Sequence, residues 1–299
     1  MEAFADLPDA LVRDLLAKAT PVAEGVAQNL QALRDSHALL YTEARNHHLI
    51  CRKADLDVPR EPSVVGVDGS YQVHRLTALD LCAAAAVAVE GTSKEATRHW
   101  PEPYHDMWVD GLPHRIDTVS VLRGMMVSME MTLAADAPHD LVLLDGSFSS
   151  LIIYLNQALT KLNDCAKTLA DDFLARWRDG ILDQLKGLLR SDRTVAMPKF
   201  TSRNEFLRGN MLNPPVIVDG KTLATMILNP GEYTRPLPLH DNADPASQQV
   251  DHLPEKYCPK RDMDELRTAL NGLSVIYFRP YGWLPALRME LPSSIASSN

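Results

Sequence analysis

Apolar residues recur at helical spacing through the first fifty positions. Leu11, Val12, Leu15, Leu16 and Ala19 form one stripe, and Val22, Val26, Leu30 and Leu33 continue it. Thr20-Pro21 between them predicts a fresh helix start, with Thr20 as cap and Pro21 in the first helical position. The pattern therefore predicts a long helical arm over residues 8–50. Pro59 and Pro62 then break any helix. From Ser63 the period changes. SVVGVDGS is an apolar run closed by Asp-Gly-Ser, which predicts a buried strand ending in a turn. Residues 71–79 and 82–89 read as further extended segments. They follow too closely for crossover helices, so antiparallel pairing is expected. Residues 91–117 hold prolines and polar turns. A helix is predicted from Ser120 to Ala135, with Leu122, Met126, Met129 and Leu133 as its core stripe. LVLLDGS then repeats the earlier form, closing at Asp145.

Beyond it, residues 151–189 read as helical with a break near Asp179-Gly180. Thr194 to Met197 is a short strand leading to Pro198-Lys199. Asp219-Gly220 begins a helix or turn, and Leu223 to Leu228 reads as either a strand or a short helix. Residues 231–259 are proline-rich and polar, an irregular insertion whose length suits a surface or site-forming role. Residues 273–278 and 286–291 are expected to pair as strands, and the last seven residues to fray. Strands alternating with helices imply an α/β body, a mixed sheet with helices on its faces. The division expected is an arm over residues 1–58 and a body over residues 59–299.

Composition narrows the class. The chain has 299 residues, 45% hydrophobic and 23% charged, enough for a substantial core. Four widely spaced cysteines give no zinc-site spacing. The N-terminus lacks a basic signal region, and the longest apolar run, near residues 79–89, is too short to span a bilayer. A soluble cytoplasmic protein, with no membrane partner, is the expectation. A net charge of -9 argues against a non-specific nucleic-acid coat. Residues 176–208 invert that sign, with eight cations against four acids, a net of +4 compatible with a phosphate-backbone track.

The candidate chemistry is a carboxylate constellation. Asp68 and Asp145 each stand where a buried strand is expected to emerge, a frequent place for functional side chains. Asp-Gly is also a common turn, but two copies closing two strong apolar runs point to a shared cleft. Glu130 sits among methionines in its helix, and a glutamate there either faces solvent or turns into a polar site. Arg123 lies two turns earlier on the same face. Asp68, Glu130 and Asp145, with Asp219 as a fourth, form an oxygen-only ligand set suited to Mn²⁺ or Mg²⁺. Two such ions can clamp the attacking and leaving oxygens of a phosphodiester. Lys199, after a strand and a proline, can meet that cleft. No GxGxxG or GxxxxGK[ST] pattern occurs where nucleotide binding requires it.

VVGVDGS after a helical arm, RGMMVSME in a helix, LVLLDGS, then VAMPK, VIVDG and a late VIYFRP…PALRMELP together resemble the NurA family of DNA-end-processing nucleases. The resemblance covers residues Ser63 to Pro292. It implies a ribonuclease H-like mixed sheet flanked by helices, with the long helical N-terminal arm in front. It implies Mn²⁺-dependent 5′ to 3′ exonuclease and single-strand endonuclease action on DNA, with Mg²⁺ as the alternative ion. It also implies a homodimer beneath the hexameric ATPase HerA, in end resection for DNA repair or in antiviral defence. Asp68, Glu130 and Asp145 match the family's catalytic acids, and Lys199 and Asp219 match polar positions lining its cleft. Family members continue past the RMELP-like strand into a helix whose histidine joins the metal site. This chain stops at Asn299 before such a segment, so His240 and His252 are the local substitutes to test. Alternatives from other classes are a catalytically impaired partner of the ATPase, and a phosphatase or ribonuclease using the same ions.

Overall fold

A computed structural model describes residues 8–57, 61–91, 98–239 and 250–297. Its centre is a ten-stranded mixed sheet. The N-terminal half supplies β1 (Ile50–Arg52), β2 (Val64–Arg75), β3 (Asp80–Glu90), β4 (Tyr104–Leu112) and β5 (Leu141–Asp145). The C-terminal half supplies β6 (Thr194–Met197), β7 (Glu232–Thr234), β8 (Leu237–Pro238), β9 (Ser274–Arg279) and β10 (Leu287–Leu291). The order is β1-β7-β9-β10-β6-β5-β2-β3-β4, with β8 beside β9. β2, β3 and β4 form the antiparallel meander, while β5 and β6 add in parallel beside β2. This is the ribonuclease H-like arrangement implied by the resemblance.

The helices of the body are α3 (Thr118–Asp136), α4 (Phe148–Lys161), α5 (Lys167–Arg176), α6 (Leu182–Leu189), α7 (Gly220–Ile227), α8 (Lys260–Asn271) and the single turn α9 (Ser293–Ala296). The segment predicted to end frayed thus closes in a helical turn. α3 is buried almost all round, not along one stripe. Twelve of its residues are buried, Glu130 among them, while Met126 is only half-buried. It packs on β2 and β3 below and on α4 and α6 above. At its crossing with α4, a side chain on Gly124 would strike the Cβ of Ala158. The predicted helix break falls at Gly180, whose φ of 111° only glycine adopts without strain.

The arm is two helices, α1 (Asp9–Asp35) and α2 (His37–Asn46). It does not restart at Pro21, as the Thr20-Pro21 pair suggested. α1 runs through that proline and the break falls at Ser36. Early α1 stays exposed, including Leu11, Leu15, Leu16, Val22 and Val26. Leu33, Leu40 and Ala44 join the core, and β1 adds an edge strand, so the arm merges into the body. The stretch 91–117 contains a strand, β4, that the polar pattern concealed. The described part of the insertion over 231–259 carries β7 and β8 at its start.

The two Asp-Gly-Ser segments differ. Gly146 has a φ of 95° and turns the chain, and Ser147 caps α4 by accepting from the Ser149 amide at 3.2 Å. Asp68-Gly69-Ser70 does not turn. β2 continues to Arg75 with Asp68 opposite Val87 and Gly69 opposite Ala86. Eleven consecutive pairings with β3 hold it extended where the Asp-Gly pattern predicted a stop.

Candidate active site

The parallel register between β2 and β5 aligns Val67 with Leu144. Asp68 and Asp145 are each the next residue, so their carboxylates stand side by side. β5 in turn aligns Asp145 with Met197, and Pro198 carries the chain to Lys199 at the same edge. Lys199 Nζ donates to Asp145 Oδ2 at 2.6 Å and lies 4.0 Å from Asp68 Oδ2. These residues line a cleft of about 410 Å³ whose other walls include Val87, Leu143, Met197 and Lys221.

Glu130 enters from α3 and rests on Gly69. A Cβ built on Gly69 would lie 2.6 Å from Glu130 Oε1 and 2.9 Å from the Met126 Cγ. The glycine is needed here for close approach of a helix side chain. Glu130 is 5% exposed. Burial first, then the negative charges of Asp68 and Asp145, push its carboxyl up to about 8, against the Gly69 amide and Lys199. The Asp68 carboxyl is also raised, by burial and then by its hydrogen bond and repulsion with Asp145, with Lys199 pulling it back. Lys199 is held above the usual lysine range by its bond to Asp145 and by the surrounding acids.

Two carboxylates thus meet at one ammonium, and the Glu130 carboxyl faces them from α3. Like charges packed this closely favour protonation unless a cation joins them. The donor set is all oxygen, as a hard divalent ion requires. The residues present therefore fit such an ion, with the lysine ammonium standing where positive charge is demanded.

Asp219 has a different position. It caps α7, with Oδ1 accepting from the Thr222 amide at 2.9 Å and Oδ2 from the Thr222 hydroxyl at 2.7 Å. Both oxygens are engaged, and the residue lines a neighbouring hollow that shares Lys199 and Lys221 with the cleft. The expected fourth ligand is therefore a helix cap. Arg123 likewise turns away from the acids. It donates to the Tyr71 hydroxyl at 2.6 Å and lies over the Tyr154 ring. His252 is exposed, and His240 lies outside the described residues.

Half of the cations in the basic stretch are engaged in local pairs. Arg176 binds Asp106, Lys186 binds Asp183 and Asp262, and Arg190 binds Glu265. Arg193 donates to the carbonyls of Ala135, Ala137 and His139.

The sequence pattern missed a buried network behind the cleft. Arg288, on the cleft wall, binds Glu290 on its own strand and Glu205, the latter at 2.9 Å. Tyr277 donates to Glu205, and Ser147 and the Phe148 amide donate to Glu290 at 2.8 and 3.0 Å. Glu290 thereby clamps the turn that carries Asp145. The signal was present in LRMEL: Arg288 and Glu290, two apart on a strand, share one face.

The comparisons agree with this layout. A family profile described as NurA domain matches residues 62–293. The crystal structure of the NurA nuclease from Sulfolobus solfataricus superposes with a TM-score of 0.59 at 11% identity, over 94% of this chain and 80% of that one. A NurA structure bound to dAMP and manganese gives a TM-score of 0.53 at 12% identity, over 91% of this chain and 85% of that one. At such identities the structural likeness establishes the fold alone. No curated relative matches the chain.

Proposed function

The chain belongs to the NurA family, and from that membership and its acidic cleft we propose that it is a metal-dependent DNA nuclease. The observation that carries this reading is the meeting of Asp68 and Asp145 at Lys199, with Glu130 from a third element near enough to feel both acids. Asp68 and Asp145 would hold Mn²⁺, or Mg²⁺, with Glu130 at the buried side. Manganese in the related NurA structure supports that choice. Such an ion, when bound, supplies charge neutralisation and a nucleophilic water at neutral pH.

The residues do the rest. Glu130, buried and facing two acids, holds a raised carboxyl in the metal-free cleft and, ionised beside a bound cation, would orient the attacking water. Lys199 is 66% exposed, so its ammonium can leave Asp145 for a non-bridging phosphate oxygen. Val87, Leu143 and Met197 give the cleft an apolar wall beside the acids.

The finer expectations belong to the same proposal: 5′ to 3′ exonuclease and single-strand endonuclease action, a homodimer, and a HerA-type hexameric ATPase partner in the cytoplasm. A role in break repair or phage defence goes with them. The open face of β3 and β4, where Leu81, Val89, Met107 and Val109 are exposed, supports pairing with a second copy. The exposed leucines of early α1 support docking of the ATPase, with residues 1–58 as the docking arm and 59–299 as the nuclease domain. Among the described residues no helix is long and apolar enough to cross a membrane.

Asp68→Ala is expected to lower Mn²⁺-dependent hydrolysis of duplex and single-stranded DNA by roughly 10³-fold while DNA binding persists. Wild-type cleavage by that variant overturns the assignment. A wild-type chain that joins the ATPase yet cuts no DNA with either ion would identify an impaired, structural subunit instead.

A further inference from the structure

A second group of ligating side chains lies at the other end of the same strands. Glu90 closes β3 opposite Val65, near the start of β2. His139 lies two residues before β5, and His99 lies on the return from β3 toward β4. Asp68 and Asp145 stand at the far end of β5, so this cluster is separate from the acidic cleft.

The geometry is convergent. Glu90 Oε1 lies 2.8 Å from His139 Nε2 and 3.2 Å from His99 Nδ1. One ligand atom from each residue falls within 4.8 Å of the others. The His139 side chain is fully buried, Glu90 is 7% exposed and His99 is 30% exposed. Trp100 closes one side, its ring 4.9 Å from that of His139, and the two imidazoles meet edge to face at 4.4 Å.

Hydrogen bonding alone accounts poorly for this arrangement. Both rings would have to donate to one carboxylate oxygen that already accepts the His99 amide. A cation accounts for it directly, because two ring nitrogens and one carboxylate oxygen then share a single partner. Tetrahedral zinc, with bonds of about 2.0–2.2 Å, separates its ligands by about 3.3 Å. The two measured separations are within about half an ångström of that spacing.

We propose that Glu90, His99 and His139 bind a zinc ion, independent of the nuclease cleft. Two imidazoles and a carboxylate suit zinc, whereas the oxygen-only cleft suits manganese or magnesium. The ion would fasten the β3–β4 connection to the α3–β5 connection, with a fourth position open to solvent.

The test uses the full chain without a histidine tag, stripped by chelator and titrated with Co²⁺. One equivalent should produce the intense visible absorption of four-coordinate cobalt, which Zn²⁺ displaces and Mg²⁺ does not. Zn²⁺ at a hundredfold excess over its dissociation constant should raise Tm by about 5 °C. His99→Ala, at a partly exposed position, should fold but lose both signals, with His99→Gln as a second variant. Asp68→Ala should keep both. Absence of both signals in the wild-type chain overturns the proposal. So does their persistence in the His99 variants, or their loss in Asp68→Ala.

Discussion

Asp145 and Ser147 stand two residues apart on one turn, yet they face two opposite solutions to buried charge. On the Asp145 side, Asp68 and Asp145 share a single lysine, and Glu130 is buried beside them with no cation of its own among its described contacts. On the Ser147 side, Glu205 and Glu290 share Arg288 and gain Tyr277, Ser147 and a backbone amide. The second group is the more completely buried. Burial acts first on both Glu130 and Glu205 and raises them. Arg288 and Tyr277 overcome it and hold Glu205 below the usual range, whereas Glu130 rises to about 8. Burial alone therefore does not mark a functional acid. The mark is a charge whose neighbours fail to satisfy it, so that a ligand must.

The largest effect is expected from breaking the satisfied network. Arg288→Met leaves Glu205 and Glu290 buried without their cation, which should cost about 3–5 kcal/mol of stability in urea denaturation. Adding Glu205→Gln and Glu290→Gln to that variant should recover much of the loss, because no unpaired charge then remains. A single variant that unfolds at the wild-type urea midpoint would show that Arg288 is dispensable and would erase the contrast.

The unsatisfied group should respond with the opposite sign. Glu130 titrates near 8 when folded and near its ordinary 4.5 when unfolded. Between those values the native state holds a proton that the unfolded chain has released. Without a divalent ion, stability should therefore be full below about pH 4.5 and fall as pH rises toward 8. Glu130→Gln removes that slope, and at pH 8 it should stabilise the metal-free chain by about 2 kcal/mol. Mn²⁺ should restore wild-type stability at pH 8 and do much less for the variant. Parallel pH profiles for the two proteins would place Glu130 outside the charge cluster.

Local pattern made part of this legible. The two apolar runs ending in Asp-Gly-Ser located Asp68 and Asp145, and a glutamate among methionines located Glu130. The reason attached to Asp68 was wrong, because Gly69 serves helix approach rather than a turn, and a contact with residue 130 leaves no trace in residues 63–70. β4 was hidden because YHDMWVDGL alternates mostly half-buried with exposed positions, so polar residues fall on both faces. Of the Arg288 network only the Arg288–Glu290 pair is local; Glu205 and Tyr277 come from distant parts of the chain, so their place in it was hidden. Similarly, the net charge of residues 176–208 suggested a track, but their partners at Asp106, Asp262 and Glu265 are distant in sequence.

Asp219 provides the finest discrimination between the two kinds of acid. It lies beside the cleft, but both its oxygens are bonded within the first turn of α7. As a cap, it can be replaced by asparagine, whose side-chain oxygen accepts the same Thr222 amide. Asp219→Asn should therefore keep stability and nuclease rate close to wild type. Asp219→Ala should lose about 1 kcal/mol by urea denaturation, with a rate that tracks the folded fraction. An acid that holds a cation behaves differently, since asparagine removes the charge the ion requires. A large loss of Mn²⁺-dependent rate in Asp219→Asn, with stability unchanged, would move Asp219 into the unsatisfied group. The cleft would then gather four carboxylates against Lys199, and its demand for a cation would be stronger still.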